Sequence, residues 1–438
     1  MIIDFDTLPV IALYSLVLGL IYLGFYRSYI YSLIDILFLF LVTSVFSSVL
    51  VVMVLQESYQ IANFFLCQLS VFLGFALVQW RRGNPTLHNK LEEVPQFTDV
   101  LLLRYTTYLL FGLYAISNVV LLYTKGFALF TDAPTEAKVA NFQGGFGILR
   151  KINTSVGGVA SAGLIFLYLN SLRRSDLILL IAMILVNALD GSKSALFRYA
   201  ICFGAFMYHP AFSHRRKLND KIKKLAPVAF LGALGVVLVV LYKENTDSEE
   251  VLFALVRRLL YGSDALLFFY NIPNTDYFAH FSALDYPGYI INPILGLFRL
   301  APYQEAFGNV MVENSLPPGV VMDVIVGPNS PFYTEGQIFF GYYGAFIYSF
   351  ILGALTSYIR SFYFSLAKGS AFFLVFISTL YQFSFAILID FKLFITQTFD
   401  ATFFVIPIYF AVCLIVGGRI IIRPKLFLLS RKTTPYTA

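Results

Sequence analysis

Glu335 closes a segment that runs from Gly327-Pro328-Asn329-Ser330-Pro331 straight into the apolar stretch beginning at Ile338. A carboxylate placed where a loop enters an apolar phase is desolvated and holds a proton more readily, which suits a general base; pairing with an arginine or capping a helix are its plainer roles. Four bases, Lys243, Arg257, Arg258 and Arg299, stand among eleven acids between Tyr242 and Gly336. A guanidinium fork matches phosphate oxygens and keeps its charge, so these residues suit a phosphate or diphosphate, with ion pairing or snorkelling as the alternatives. A second basic site lies at Asp190-Gly191-Ser192-Lys193-Ser194, with Arg198 five residues beyond Lys193. A helix start with glycine and serine leaves backbone N–H groups open to an anion, and a charge about one turn deeper in an apolar helix is a functional candidate by its cost. A tight turn with a snorkelling lysine is the competing reading. Arg150 and Lys151, ahead of another apolar stretch, are weaker versions of the same signal. His280, flanked by Tyr277, Phe278, Phe281 and Tyr286, is either an alternative base or an interfacial structural histidine.

The elements that would position these groups are membrane helices. Hydrophobic residues make up 58% of the 438, charged residues 13%, and mean hydropathy is +0.76, more apolar surface than a soluble core can use. About eleven apolar stretches follow, near residues 8–25, 33–55, 61–78, 101–123, 154–169, 177–189, 194–207, 226–241, 338–359, 371–389 and 402–416. The expected organisation is residues 1–241 with helices one to eight, an insert at 242–336, and residues 337–438 with the last three helices and a tail. Eight of the seventeen prolines fall between Pro273 and Pro331, so the insert should hold short helices joined by turns, and apolar pieces such as Tyr289 to Phe298 should lie on or re-enter the membrane surface.

Basic clusters at Arg81–Lys90, Arg173–Arg174, Arg215–Lys224, Arg360–Lys368 and Arg419–Lys432 can all be cytoplasmic on one alternating path. That path puts the N-terminus, the insert and a short loop from Asp390 to Asp400 outside. The net charge of +6 is thereby a matter of orientation and not a sign of nucleic-acid binding. The first stretch follows Asp4 and Asp6 without a basic leader and reads as a retained helix. Cys67, Cys202 and Cys413 all lie in apolar runs, so neither a disulfide framework nor a zinc site is expected. The glycines after Glu335, with Gly353, would let another helix pack closely.

The Gly191-Ser192-Lys193 turn resembles the basic turn of Wzy-type O-antigen and oligosaccharide repeat-unit polymerases. So do Val256-Arg257-Arg258-Leu259-Leu260-Tyr261-Gly262, Thr334-Glu335-Gly336-Gln337-Ile338-Phe339-Phe340-Gly341-Tyr342-Tyr343-Gly344, and Lys125-Gly126-Phe127-Ala128-Leu129-Phe130 after the fourth helix. The resemblance covers nearly the whole chain in topology, on short and degenerate motifs. It implies an all-α polytopic, GT-C-like glycosyltransferase of the bacterial inner membrane with its large periplasmic loop between helices eight and nine. Such an enzyme moves a growing glycan from undecaprenyl diphosphate to the non-reducing end of a new lipid-linked unit. It needs no cofactor, and a chain-length regulator of the same pathway is a partner the resemblance suggests. Arg258 and Lys193, with Arg257, Arg198 or Arg299, would stabilise the leaving diphosphate. Glu335 would be the first choice of base and His280 the second, with Tyr333 and Tyr261 against sugars. Lys193 stands where many relatives carry arginine, which leaves that role between Lys193 and Arg198. A diphosphate held by fixed cations requires no metal, so Asp4 and Asp6 are read as an orientation signal. An O-antigen ligase is the near alternative and a lipid flippase the alternative from another class.

Overall fold

The computed structural model describes residues 5–82, 97–131, 134–142, 145–190, 193–215, 248–260, 264–317, 327–417 and 425–426, with isolated positions between 235 and 242 and near 262, 319, 320 and 325. The helices before the insert are α1 (Leu8–Tyr26), α2 (Ile36–Val54), α3 (Ser58–Arg82), α4 (Val100–Lys125), α5 (Pro134–Ala140), α6 (Gly147–Ser171), α7 (Arg174–Leu189) and α8 (Lys193–Tyr208). Short helices make up the insert: α9 (Ser248–Leu260), α10 (Ala265–Phe269), α11 (Ile272–Phe278), α12 (Tyr286–Leu297) and α13 (Phe307–Asn314). The chain then forms α14 (Phe332–Ser365), α15 (Ala371–Phe383), α16 (Ala386–Ile389) and α17 (Phe391–Val416).

Among the described residues eight segments are long and apolar enough to cross a membrane: α1, α2, α3, α4, α6, α14, α15 with α16, and α17. The expected sixth and seventh stretches are α7 and α8, of 16 residues each. Most of the expected eighth, 226–241, lies outside the described residues. Only three two- to five-residue strands occur among the described residues, β1 (Phe97–Thr98), β2 (Leu366–Ser370) and β3 (Lys425–Leu426), with Phe97 opposite Gly369 in a parallel pair and Leu366 opposite Leu426 in an antiparallel one.

Small residues and buried polar pairs hold the bundle together. A Cβ on Gly74 would stand 2.0 Å from the Phe350 carbonyl oxygen, and one on Gly353 2.1 Å from that of Val71, so α3 and α14 touch backbone to backbone. Arg360, which the charge pattern assigns to a cytoplasmic loop, is instead inside α14. Its guanidinium is paired with the buried Asp35 carboxylate and also donates to the Tyr29 carbonyl (2.7 Å) and the Tyr381 hydroxyl (3.0 Å). Asp35 in turn caps α2 by accepting from the Leu37 N–H at 3.0 Å. With every lone pair used in this way, a buried charge is tolerable where an unpaired one would not be.

Helix α14 is not straight. Gly341 has φ 69° and ψ −174°, a region essentially restricted to glycine, and the helix reverses there. Tyr348 hydrogen-bonds Glu335 at 2.9 Å, although residues thirteen apart in a straight helix are about 20 Å apart. Gly336 permits the fold-back, since its Cβ would lie 3.1 Å from the Ala345 Cα. The buried Asn63 of α3 donates to the Tyr342 carbonyl (3.0 Å), one of the backbone groups a break exposes. The expected junction of a loop with a helix at Ile338 is therefore a nine-residue helical arm, Phe332 to Phe340, tucked against the longer one.

Candidate functional site

Four elements bring polar groups together beside the two arms of this hairpin, away from its turn at Gly341. Its short arm supplies Glu335, which is 1% exposed, and its long arm supplies Tyr348. The insert helix α12 adds Tyr286 and Tyr289, three residues apart and so on one face. The start of α17 adds Asp390, whose side chain accepts from the Leu393 N–H at 2.9 Å, and Lys392, which is 7% exposed.

Tyr348 donates to Glu335 Oε2, and its own oxygen then accepts from Tyr286, at 2.7 Å. This gives a short chain of hydroxyls from a buried carboxylate to the half-buried Tyr286 of the insert. Burial, and after it the Glu335 charge, push the phenols of Tyr286 and Tyr289 above the ordinary tyrosine range, so both remain proton donors. Glu335 Oε1 accepts no hydrogen bond of ordinary geometry, although the Phe391 N–H faces the carboxylate. Lys392 Nζ stands 4.0 Å from the centroid of the Tyr289 ring, which is itself stacked on Phe307 at 4.1 Å, and it has no hydrogen-bond partner. Asp390 and Glu335 both act on it electrostatically. A carboxylate with an open oxygen, a cation beside it and a hydroxyl chain leading outward can move a proton and stabilise a developing negative charge.

The residues singled out by sequence do not all converge here. Glu335 is at the centre. Tyr333, one residue before it, is 2% exposed and packs against Phe64 and Phe332, each at 4.9 Å, so its ring belongs to the core and not to a sugar-facing surface. His280 is exposed just after α11. Arg257 and Arg258 are exposed in the last turn of α9, and Arg299 is exposed after α12. Arg198 is half-buried on α8 beside Tyr199 and Tyr114, whose hydroxyls both accept from Asn187 at 2.6 Å. Lys193 begins α8, but its side chain, like Tyr261 and Lys243, lies outside the described residues. Lys151 does not await an anion: it pairs with Asp400 at 2.9 Å. The expected outer loop from Asp390 to Asp400 is the first part of α17.

Sequence reasoning missed Lys392, Asp390, Tyr289 and Tyr348. For Lys392 a signal existed. On the charge-sorted path it lies outside, and the argument that singled out Arg258 and Arg299 applies to it equally.

What fold and site define is a class, an all-α multi-pass membrane protein. No protein-family model, no curated protein and no solved structure matches the chain.

Proposed function

We propose that the chain is a membrane-embedded glycosyltransferase that polymerises undecaprenyl-diphosphate-linked oligosaccharide units at the periplasmic face of a bacterial inner membrane. The observation that carries this reading is the buried Glu335, hydrogen-bonded to Tyr348, within the electrostatic influence of the buried ammonium of Lys392. Glu335 takes the proton of the acceptor hydroxyl as its oxygen attacks the anomeric carbon of the donor. The bond from that carbon to the diphosphate oxygen breaks, and the lipid diphosphate leaves with the electron pair. Lys392 supports the charge that develops, in the manner of fixed cations at leaving phosphates. The bases Arg257 and Arg258 of the insert, together with Lys193 or Arg198, are assigned by the resemblance to the diphosphate of incoming lipid.

One observation favours a second reading, a lipid-oligosaccharide flippase. A helix broken at Gly341 beside buried ionisable groups is also how transporters build their sites. Deletion and complementation in the native host, with surface polysaccharide displayed on a gel, separates the two. A polymerase deletion retains single repeat units at the surface, whereas a flippase deletion abolishes both the single unit and the polymer. Full-length polymer held on carrier lipid would instead indicate a ligase. Complementation with Glu335→Gln or Lys392→Met at normal protein level should leave only the single unit. A full ladder from both variants removes the proposed chemistry.

A further inference from the structure

Helix α12 ends in a backbone arrangement that usually requires glycine. The Leu300 N–H bonds the Leu295 carbonyl (2.9 Å) and the Arg299 N–H bonds that of Gly296 (3.1 Å), the paired bonds of a Schellman cap, and Arg299 holds its left-handed position at φ 57°. An arginine here carries a cost that glycine would not. A cation at a helix C-terminus recovers part of that cost from the helix dipole. The turn is fixed from behind, because Asn292 donates to the Pro302 carbonyl and accepts from the Gln304 N–H, each at 2.9 Å.

Its two neighbours are apolar and open, Phe298 at 47% exposure and Leu300 at 73%. Phe298 sits edge-on to Phe403 (5.6 Å) and Phe399 (6.2 Å) of the membrane-spanning α17. Phe403 is itself 42% exposed and lies twelve residues, about 18 Å, along that helix from Phe391. The open apolar surface of the turn is thus continuous with the lipid-facing side of a membrane helix. Asp400, the neighbour of Phe399, forms its ion pair with Lys151 close by and marks a polar level at which an arginine can end.

We propose that Phe298, Arg299 and Leu300 form a wedge into the bilayer, in which Phe298 and Leu300 enter the acyl region and Arg299 binds a phospholipid phosphate. The insert is then held to the membrane at a second point, away from the Glu335 hairpin. This assignment does not depend on the glycosyltransferase reading.

The test uses the full chain in vesicles of phosphatidylglycerol and phosphatidylethanolamine. Cys67, Cys202 and Cys413 are buried, so an added surface cysteine is labelled selectively. A spin label at Leu300→Cys should collide with oxygen at least threefold more often than with an aqueous nickel chelate. The same label at Asp276→Cys, an exposed site on α11, should show the reverse order. Equal nickel access at the two positions overturns the wedge. For the arginine, Arg299→Gly suits the cap and keeps the turn. It should lose at least half of the thermal shift that phosphatidylglycerol gives the wild type in a sugar-headed detergent, whereas Arg299→Lys should keep most of it. An unchanged shift in Arg299→Gly, or a wild-type shift produced by a short polyprenyl diphosphate and not by phosphatidylglycerol, refutes the phospholipid assignment.

Discussion

Replacing Lys392 by methionine removes a buried cation that acts on both Glu335 and Asp390 and leaves the two acids in one another's field. Nζ is beyond hydrogen-bond reach of both carboxylates, so its coupling to either stays below the ~4 kcal/mol of two unit charges 4 Å apart at an effective dielectric of about 20. Its contact with the Tyr289 ring adds ~0.5–2 kcal/mol. Removing one member of a buried charge cluster costs ~3–5 kcal/mol, and the wider spacing here argues for the lower figure, about 3 kcal/mol for Lys392→Met. Glu335→Gln alone, which keeps a hydrogen-bond acceptor for Tyr348, should cost about 1 kcal/mol. In the double variant the repulsion between carboxylates is gone, so its cost should be about 2 kcal/mol, below the roughly 4 kcal/mol expected from addition, a coupling of about 2 kcal/mol. The assay is reversible unfolding of the full chain in mixed micelles by titration with a denaturing detergent, for wild type, both single variants and the double. If the two costs add to within ~0.5 kcal/mol, Lys392 and Glu335 do not sense one another and the site as described is wrong.

Two further outcomes follow from geometry and charge. Gly341→Ala meets no neighbouring atom, so its whole cost is backbone strain of ~1–3 kcal/mol, and it should lower the melting temperature and loosen the Glu335–Tyr348 contact; Gly112→Ala, equally uncrowded but inside the straight α4, should be neutral or stabilising by up to ~1 kcal/mol. Burial raises Asp264, at the start of α10, from 3.8 to about 6. The folded state therefore keeps this proton longer than the unfolded one does, and stability falls as pH rises from 3.8 to 6 and is then level. Hydrogen exchange over residues 265–269 should speed up across that interval in the wild type and show less change in Asp264→Asn.

Apolar length and composition made most of the architecture legible, because a bilayer demands long uncharged helices whatever else the chain does. Prolines likewise announced the short helices of the insert. The hairpin was hidden for a physical reason. Hydrophobicity runs on without a break from Ile338 to Ile359, and only the conformation of Gly341 and the absence of a Cβ at Gly336 tell a reversal from a continuous helix. Charges were misread where their partners are distant in sequence. Lys151 looked open to an anion until Asp400, 249 residues on, met it, and Arg360 looked like a loop residue until Asp35 did the same. Glu335 could be found because its setting is local, a carboxylate at the edge of an apolar run. Lys392 sits in the same setting but was passed over as part of a short loop, since the capping of α17 by Asp390 is what turns that segment into helix.

The hairpin also sets an order of events during synthesis. Glu335 and Tyr348 belong to one short stretch of chain and can meet as soon as that stretch has emerged. Lys392 comes from α17 and arrives only after α15 and α16 have been made. Until Lys392 is in place the buried acid has no neighbouring ammonium, and an isolated buried carboxylate takes up a proton in preference to staying charged, so the two groups become a charged site only when α17 packs.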